Sequence, residues 1–269
     1  MGVSVALRAV LFDLDGTLFD SERDGHRIAF NLAFERMGLS IHWDSPRYGD
    51  LLEIAGGRRR IETELLAGGM QEAEAASLAA QIHREKTRIF KKMCADGAIL
   101  PRPGALRLVG EVVEAGIVAA IATTGSREWV EPLIAESFGD HLFRFMLTGT
   151  EVPRLKPDPA VYLEAQSLLG MNPEAILVVE DSAIGLAASA GAGLGSLAVA
   201  NDYTVGQDLA AAVSVLDGYG EPGAPARVID GAGLSLPGGI VGLQTLEEAL
   251  VTAWAEPSPV PSKRLAAWA

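Results

Sequence analysis

The chain has 269 residues, of which 22 are Lys or Arg and 35 are Asp or Glu, so its formal net charge at pH 7 is -13. Hydrophobic residues make up 49% and charged residues 21%, a balance that is typical of folded domains and excludes a wholly disordered chain. The single cysteine, Cys94, excludes an internal disulfide and a cysteine-based zinc cluster, and the acidic charge argues against nonspecific binding to nucleic acid.

Four short apolar segments that end in polar residues predict the strands of a parallel sheet, because strands buried on both faces show no polar alternation. They comprise residues 9–13, 117–123, 143–148 and 176–180. Helical patterns accompany the later segments, over residues 104–115, 127–138, 159–169 and 183–192. This alternation predicts an α/β fold with a doubly wound, Rossmann-like parallel sheet. Ligands bind such sheets at the carboxyl ends of the strands, where the polar residues would meet.

Residues 22–101 interrupt this alternation, because their periodicity is helical and includes no convincing strand. The helical patterns run over residues 26–37, 58–66 and 72–93. The segment 101–104, Pro-Arg-Pro-Gly, is a strong turn signal. We therefore expect a core domain of residues 1–21 and 102–255 with an inserted helical cap domain of residues 22–101. The cap holds 12 basic and 12 acidic residues, so the excess negative charge belongs to the rest of the chain.

The remaining segments predict the surroundings of the core. Residues 219–239 are rich in Gly and Pro and predict a long surface loop, residues 245–254 predict a last helix, and residues 256–269 predict a flexible tail. Residues 1–10 are too short for a signal peptide, and no apolar run approaches the roughly eighteen residues of a membrane span. We expect a cytoplasmic monomer that binds neither membrane nor nucleic acid.

The first predicted strand leads into the sequence Asp-Leu-Asp-Gly-Thr, from Asp13 to Thr17. Two carboxylates two positions apart on an extended chain point to the same side, so Asp13 and Asp15 can share one metal ion and one electrophile. The alternative is an ordinary acidic turn, since Asp-Gly pairs favour turns.

Polar residues also follow the other predicted strands. Residues 123–126, Thr-Thr-Gly-Ser, offer hydroxyls and backbone N–H groups to an anion at a helix start, and Lys156 places a cation before the next helix. Glu180 and Asp181 follow the most apolar strand, where an acidic pair is costly unless it binds a cation or accepts hydrogen bonds. Helix capping or a solvated turn is the alternative for each feature. Four such features in this order, at one edge of one sheet, favour a shared catalytic site.

Together these motifs resemble those of the haloacid dehalogenase superfamily, over about residues 10–200. The helical insertion lies where that superfamily carries its cap. The resemblance implies an enzyme, a phosphoric monoester hydrolase in which Asp13 is the nucleophile and Asp15 is the general acid and base.

The same resemblance implies the remaining roles at the strand ends. The residues that would hold the transferred phosphoryl group are Thr123, Thr124, Gly125 and Lys156. Mg²⁺ would bind Asp13, the backbone carbonyl of Asp15, and Asp181. Glu180 would orient a metal-bound water from outside the set of direct ligands.

Within the superfamily, the cap resembles that of the CbbY-like branch. The similar segments are residues 20–31, 43–44, 48–52, 56–61 and 82–87, with residues 180–186 in the core. Members of that branch resemble phosphatases of xylulose 1,5-bisphosphate, so the implied reaction releases phosphate from this sugar bisphosphate and leaves xylulose 5-phosphate. Arg58 and Arg59 depart from the branch, which has Lys and Glu at these positions.

A bisphosphate needs a second anion site away from Asp13, and cap residues are the candidates for binding it. Those for the second phosphate are Arg58, Arg60 and Lys86, and His83, a further candidate for binding substrate, shares a helix face with Lys86. Those for hydrogen bonds to sugar hydroxyls are Glu22, His26 and Tyr48. The alternative for each is a structural or solvated side chain.

Two other functions stay open at this stage. A sugar-phosphate mutase such as β-phosphoglucomutase has the same core and cap type, but it keeps water from its phosphorylated aspartate. A non-catalytic module that binds phosphosugars would keep the fold without turnover. The presence of every core motif residue argues against that module.

Overall fold

The computed structural model describes residues 6–54 and 56–255, and the predicted tail of residues 256–269 lies outside this range. The chain divides into two compact units. The first contains the described residues up to Phe19, Pro101–Arg127, and those from Phe138 onwards, and the second contains Asp20–Leu100 and Glu128–Ser137. Every helix in the described part of the chain is too short or too polar to span a bilayer.

A sheet of seven strands forms the centre of the first unit, in the order β3-β2-β1-β4-β5-β6-β7 within the described residues. The strands are β1 (Ala9–Phe12), β2 (Val118–Ala122), β3 (Met146–Leu147), β4 (Ile176–Glu180), β5 (Gly195–Val199), β6 (Ser214–Leu216) and β7 (Val228–Gly231). Neighbouring strands run parallel except β6 and β7, which are antiparallel. The predicted α/β fold with a mostly parallel sheet is confirmed.

Helices account for the regular structure described in the second unit. They are α1 (Arg27–Arg36), α2 (Ser45–Leu52), α3 (Gly57–Ala67) and α4 (Glu72–Ala95), and a π-helical segment, Ser21–His26, leads into α1. Helix α4 packs on both α1 and α3 through small and aliphatic residues spaced three or four apart, among them Ala75, Ala79 and Ile82. The sequence patterns did not predict α2, whose first turn is capped by the Asp44 carboxylate at 2.8 Å from the Arg47 amide.

The remaining helices follow the strands in the alternation that the sequence predicts. They are α5 (Ala105–Glu114), α6 (Arg127–Phe138), α7 (Ala160–Leu169), α8 (Ala183–Gly191) and α9 (Leu243–Ala255). Most of α6 belongs to the second compact unit, unlike the domain boundary expected from the sequence. In the core of the first unit, Leu11 of β1 aligns with Ala120 of β2 and Val178 of β4, and Tyr162 of α7 belongs to the same buried cluster.

Three strand ends determine where the functional groups lie. Strand β1 ends at Phe12, β2 at Ala122 and β4 at Glu180, so Asp13 and Thr123 are the first residues beyond their strands. The Asp13 amide still donates to the carbonyl of Val179 in β4 at 3.0 Å. The parallel arrangement therefore brings these polar residues to one edge of the sheet.

The prediction of a surface loop over residues 219–239 is wrong in two respects. The segment contains β7, and Tyr219 at its beginning is buried with its hydroxyl donating to the Thr17 carbonyl at 3.1 Å. The glycines explain the misleading composition, because Gly220 and Gly231 have φ values of +73° and +83°, in the left-handed region. Beyond this buried start, the residues of the segment are exposed or half-buried except Ala226, as expected for a surface segment.

Candidate active site

Lys156 joins two acidic residues at the carboxyl edge of the sheet. Its ammonium donates to Asp13 Oδ1 at 2.5 Å, to Glu180 Oε1 at 2.7 Å and to the backbone carbonyl of Ala122 at 2.8 Å. All three ionisable side chains are buried. The carboxyl ends of β1, β2 and β4 thus share one cation, as the sequence predicts for this edge.

Burial sets the electrostatics of this group. It raises the pKa of Asp13 to about 8, although Lys156 favours the charged form, and the negative charge of Glu180 adds to the effect of burial. Burial by itself would lower the pKa of Lys156, but Asp13 and Glu180 raise it well above its usual value. Lys156 is therefore a fixed cation that opposes the charge of the nearby carboxylates.

The Glu180 carboxylate accepts hydrogen bonds at both of its oxygens. Its Oε1 accepts a hydrogen bond from the Tyr162 hydroxyl at 2.7 Å in addition to the bond from Lys156, and its Oε2 accepts from the Asp181 amide at 3.1 Å and the Ser182 hydroxyl at 3.3 Å. A Cβ at Gly185 would overlap the Glu180 carboxylate, so only glycine allows helix α8 to begin so close to it. This carboxylate has one well-defined position.

Asp181 has a partner at each carboxylate oxygen. Thr17 Oγ1 donates to Oδ1 at 3.3 Å, and Asn201 Nδ2 donates to Oδ2 at 2.7 Å. A Cβ at Gly16 would overlap the Asp181 carboxylate, and Gly16 has φ +84°, so both space and backbone conformation require glycine in this loop. Burial, followed by the charges of Glu180 and Asp13, raises the pKa of Asp181 well above its usual value.

The three carboxylates fit a divalent cation. One oxygen from each of Asp13, Glu180 and Asp181 lies within 4.8 Å of the others, and all three side chains are buried. An all-oxygen set of this kind suits a hard cation such as Mg²⁺ or Ca²⁺. Three buried carboxylates also exceed the single positive charge of Lys156, so a dication would relieve their mutual repulsion.

The turn after β2 contains the residues predicted to bind a phosphoryl group. Thr123 is buried, and its hydroxyl oxygen accepts a hydrogen bond from the Gly125 amide at 3.0 Å, which leaves the hydroxyl proton to donate elsewhere. Thr124 is half-buried beside it. The Gly125 amide is thus engaged within the turn, and the role predicted for it requires this internal bond to yield.

Asp15 lies in the loop between β1 and the second unit. It is half-buried, and its negative charge adds to the effects that raise the pKa of Asp13. A carboxyl group that is half-exposed and close to the nucleophile has the access to water that a general acid and base needs.

In the second unit, three of the residues predicted to bind sugar hydroxyls or phosphate form one hydrogen-bonded group. The Tyr48 hydroxyl donates to Glu22 Oε2 at 2.5 Å and accepts from Arg60 Nη1 at 3.5 Å. Arg60 also donates through Nε to the carbonyl of Ile54 at 2.9 Å. Arg58, by contrast, is exposed, and its positive charge contributes to lowering the pKa of His83.

A second group in this unit joins His26 and Lys86. The Lys86 ammonium lies 2.7 Å from His26 Nδ1 and 4.8 Å from the ring centres of both Phe30 and Phe90. Burial, followed by the positive charge of Lys86, lowers the pKa of His26 well below its usual value. Because an ammonium only donates hydrogen bonds, Nδ1 of the neutral imidazole must be the acceptor. His83 is half-buried, and burial and then Lys86 lower its pKa as well.

Three residues at the carboxyl edge were not predicted from the sequence: Tyr162, Asn201 and Arg102. Asn201 follows β5 by two positions, so the rule that located Asp13 and Asp181 would have found it had β5 been predicted. Arg102 lies within the turn that ends the helical insertion, and its guanidinium donates to the carbonyls of Gly16, Val199 and Ala200. Nothing in the pattern distinguishes Tyr162 from other apolar positions of α7.

The chain is similar to CbbY proteins over most of its length. CbbY from Rhodobacter capsulatus is 39% identical over 77% of this chain and 91% of its own length. The crystal structure of CbbY from Rhodobacter sphaeroides in complex with phosphate is 37% identical, covers 81% of this chain and 96% of its own, and has a TM-score of 0.65. A variant of that protein, crystallised with xylulose 1,5-bisphosphate, is 36% identical over the same shares and has the same TM-score.

The family assignment depends on a match over most of the chain. A model of the haloacid dehalogenase-like hydrolases matches residues 7–193, a range that includes Asp13, Thr123, Lys156 and Asp181. The predicted relationship to CbbY-like proteins is also confirmed by the identities above. The chain therefore belongs to the family of haloacid dehalogenase-like hydrolases and is an enzyme of that family.

Proposed function

We propose that this enzyme is a Mg²⁺-dependent phosphatase that hydrolyses a small sugar phosphate, with xylulose 1,5-bisphosphate as the substrate and xylulose 5-phosphate as the product. The observation that carries the proposal is the contact between Asp13 and Lys156, which places a buried carboxylate and a cation at 2.5 Å beside two further acids. The similarity to a CbbY protein crystallised with this sugar bisphosphate supports the choice of substrate.

The reaction begins with attack by a carboxylate oxygen of Asp13 on the phosphorus atom. The bond between phosphorus and the sugar oxygen breaks, and Asp15 gives its proton to that oxygen as it leaves. Water then attacks the phosphorus of the aspartyl-phosphate while Asp15 takes a proton from it. Phosphate is released, and Asp13 returns to its starting form.

Charge is the main obstacle to the first step, because a carboxylate attacks a phosphate dianion. Lys156 offsets this repulsion through its contacts with Asp13 and the incoming phosphoryl oxygens. The Thr123 hydroxyl and the Thr124 amide donate to the same oxygens, and Gly125 joins them once its bond to Thr123 yields. Mg²⁺ held by the carboxylates of Asp13 and Asp181 and the carbonyl of Asp15, with Glu180 orienting a bound water, would neutralise further charge on the phosphoryl group.

We assign recognition of the rest of the substrate to the second unit. Arg60 and Lys86 are the cations for the second phosphate, with His83 and the exposed Arg58 as further donors. Glu22, Tyr48 and His26 are the partners for the sugar hydroxyls. Because Nδ1 of neutral His26 accepts from Lys86, its Nε2–H is the group that donates to a sugar hydroxyl.

Two substrates separate this function from a mutase. The enzyme is incubated with Mg²⁺ and xylulose 1,5-bisphosphate, and in parallel with β-glucose 1-phosphate. Phosphate released from the first substrate, without glucose 6-phosphate from the second, supports the proposal. Glucose 6-phosphate from the second would replace it with a mutase, and no turnover of any sugar phosphate would replace it with a binding module.

A further inference from the structure

Asn201 connects two elements of the acidic site that are distant in sequence. Its Nδ2 donates to Asp181 Oδ2 at 2.7 Å and also lies 3.2 Å from the carbonyl oxygen of Gly16. Asp181 follows β4, and Gly16 belongs to the loop that begins with Asp13. One amide group from the end of β5 thus bridges the two segments that supply the predicted metal ligands.

The orientation of the Asn201 amide is determined by its other contacts. Its Oδ1 accepts from the backbone amides of Tyr203 at 2.9 Å and Thr204 at 3.2 Å. Turning the amide over would break both bonds and would place an oxygen against the Asp181 carboxylate. The donor group of Asn201 is therefore committed to Asp181 and Gly16.

Arg102 also holds the turn at Gly16, through hydrogen bonds that do not involve Asn201. Its Nη1 donates to the Gly16 carbonyl at 2.5 Å and to the Val199 carbonyl at 2.9 Å, and its Nη2 donates to the Ala200 carbonyl at 2.7 Å. The end of β5 is thereby fixed to the Gly16 turn. This leaves Asn201 little freedom to move away from Asp181.

We infer that Asn201 is a positioning residue for the metal site, which it organises by fixing the rotation of Asp181 against the Gly16 turn. A carboxylate held at both oxygens, by Thr17 and Asn201, binds a cation without first losing rotational freedom. Partners of metal ligands act in this way, and removing one weakens metal binding about 10–100-fold. The inference rests on the metal dependence in the proposed function.

Direct binding of Mn²⁺ tests this role without substrate. The metal-free protein is titrated with Mn²⁺, and free Mn²⁺ is followed by its electron paramagnetic resonance signal. Asn201→Ser removes the amide donor, so its dissociation constant rises at least about tenfold above that of the wild type. The matched control is Gln207→Ala, which removes a side-chain amide of the same loop whose oxygen accepts from the Ala183 amide at 2.9 Å, and it keeps the wild-type constant.

A second variant separates positioning from a merely structural role in the turn. Asn201→Asp keeps the oxygen that accepts from Tyr203 and Thr204 but replaces the donor with a charge that repels Asp181. The metal-free variant therefore melts at a lower temperature than the wild type, and Mn²⁺ raises its melting temperature by more. A residue that shapes the turn only through its Oδ1 would leave the stabilisation by Mn²⁺ as in the wild type, and this variant decides the matter if Asn201→Ser does not fold.

The inference is overturned if Asn201→Ser binds Mn²⁺ as tightly as the wild type, or if the control weakens binding equally. It is also overturned if Asn201→Asp melts as the wild type does. A wild-type protein that binds no Mn²⁺ would instead remove the metal from the proposed function, and the inference with it. The same Mn²⁺ titration therefore distinguishes failure of the role given to Asn201 from failure of the proposed metal dependence.

Discussion

The Lys156 ammonium lies 2.7 Å from Glu180 Oε1, and the two side chains form an ion pair that is almost fully buried. The same ammonium lies 2.5 Å from Asp13 Oδ1, so one cation serves two carboxylates from different strand ends. Removing one partner of a buried ion pair leaves an uncompensated charge in a medium that solvates it poorly. Lys156 is therefore important to the folded state as well as to the proposed reaction.

Lys156→Met is expected to lower the free energy of unfolding of the metal-free protein by about 3 kcal/mol at pH 7, because Asp13 and Glu180 lose their cation. Urea denaturation measures the change. Arg154→Met is the matched control, since Arg154 pairs with Asp158 in the same loop but is 71% exposed. Its loss is expected to stay below about 1 kcal/mol. Equal losses in the two variants would contradict the role given to the buried pair.

His26 is expected to make the protein sensitive to mild acid. Its pKa lies well below 6.5 in the folded state because of burial and the nearby Lys86, whereas in the unfolded chain it returns to its ordinary value. Between these two pKa values the unfolded state binds the extra proton, so stability is complete above pH 6.5 and falls as the pH drops further. The slope from this one group approaches about 1.4 kcal/mol per pH unit.

Urea denaturation between pH 7 and pH 5 measures this slope. His26→Gln is expected to lose stability less steeply than the wild type, because glutamine accepts from Lys86 without binding a proton. His42→Gln replaces an exposed histidine of the same unit and is expected to keep the wild-type slope. A His26→Gln slope equal to that of the wild type would show that the acid sensitivity arises elsewhere.

The motifs at the sheet edge could be predicted because they follow strands with a clear signal. Segments such as residues 176–180 are wholly apolar up to the acid that ends them, so the sequence locates both the strand and the edge residue. Strand β5 has a weaker pattern, since Gly195 and Ser196 begin it, and missing that strand hid Asn201. A residue that contacts a functional group can be predicted only when the strand or helix that carries this residue is itself predicted.

The hydrogen bonds between side chains of the second unit could not be predicted from the sequence for a different reason. Residue type marked Glu22, Tyr48 and Arg60 as candidates, but their contacts depend on how α2 and α3 pack against the π-helical segment. The pattern gave no sign of α2 itself, because Pro46 and Gly49 lie within it. Burial likewise could not be predicted for Tyr219, which lies at the start of a segment whose glycines suggested exposure.

Arg60→Gln is expected to raise the KM for xylulose 1,5-bisphosphate about tenfold, because a charge-assisted hydrogen bond to the second phosphate is lost. Hydrolysis of p-nitrophenyl phosphate, which has one phosphate, is expected to change little. Steady-state kinetics with both substrates provide the comparison. Arg59→Gln removes the neighbouring exposed arginine and serves as the control. Equal effects of Arg60→Gln on both substrates would contradict its assignment to the second phosphate.

In the proposed reaction, a carboxylate oxygen of Asp13 attacks the phosphorus atom of a sugar phosphate. Phosphate release from xylulose 1,5-bisphosphate with Mg²⁺ tests it most directly when the wild type and Asp13→Asn are compared in one assay. The wild type is expected to release phosphate, and the Asp13→Asn rate to fall by at least about a thousandfold, because an amide is a poor nucleophile. Full turnover by the folded Asp13→Asn variant would contradict the account.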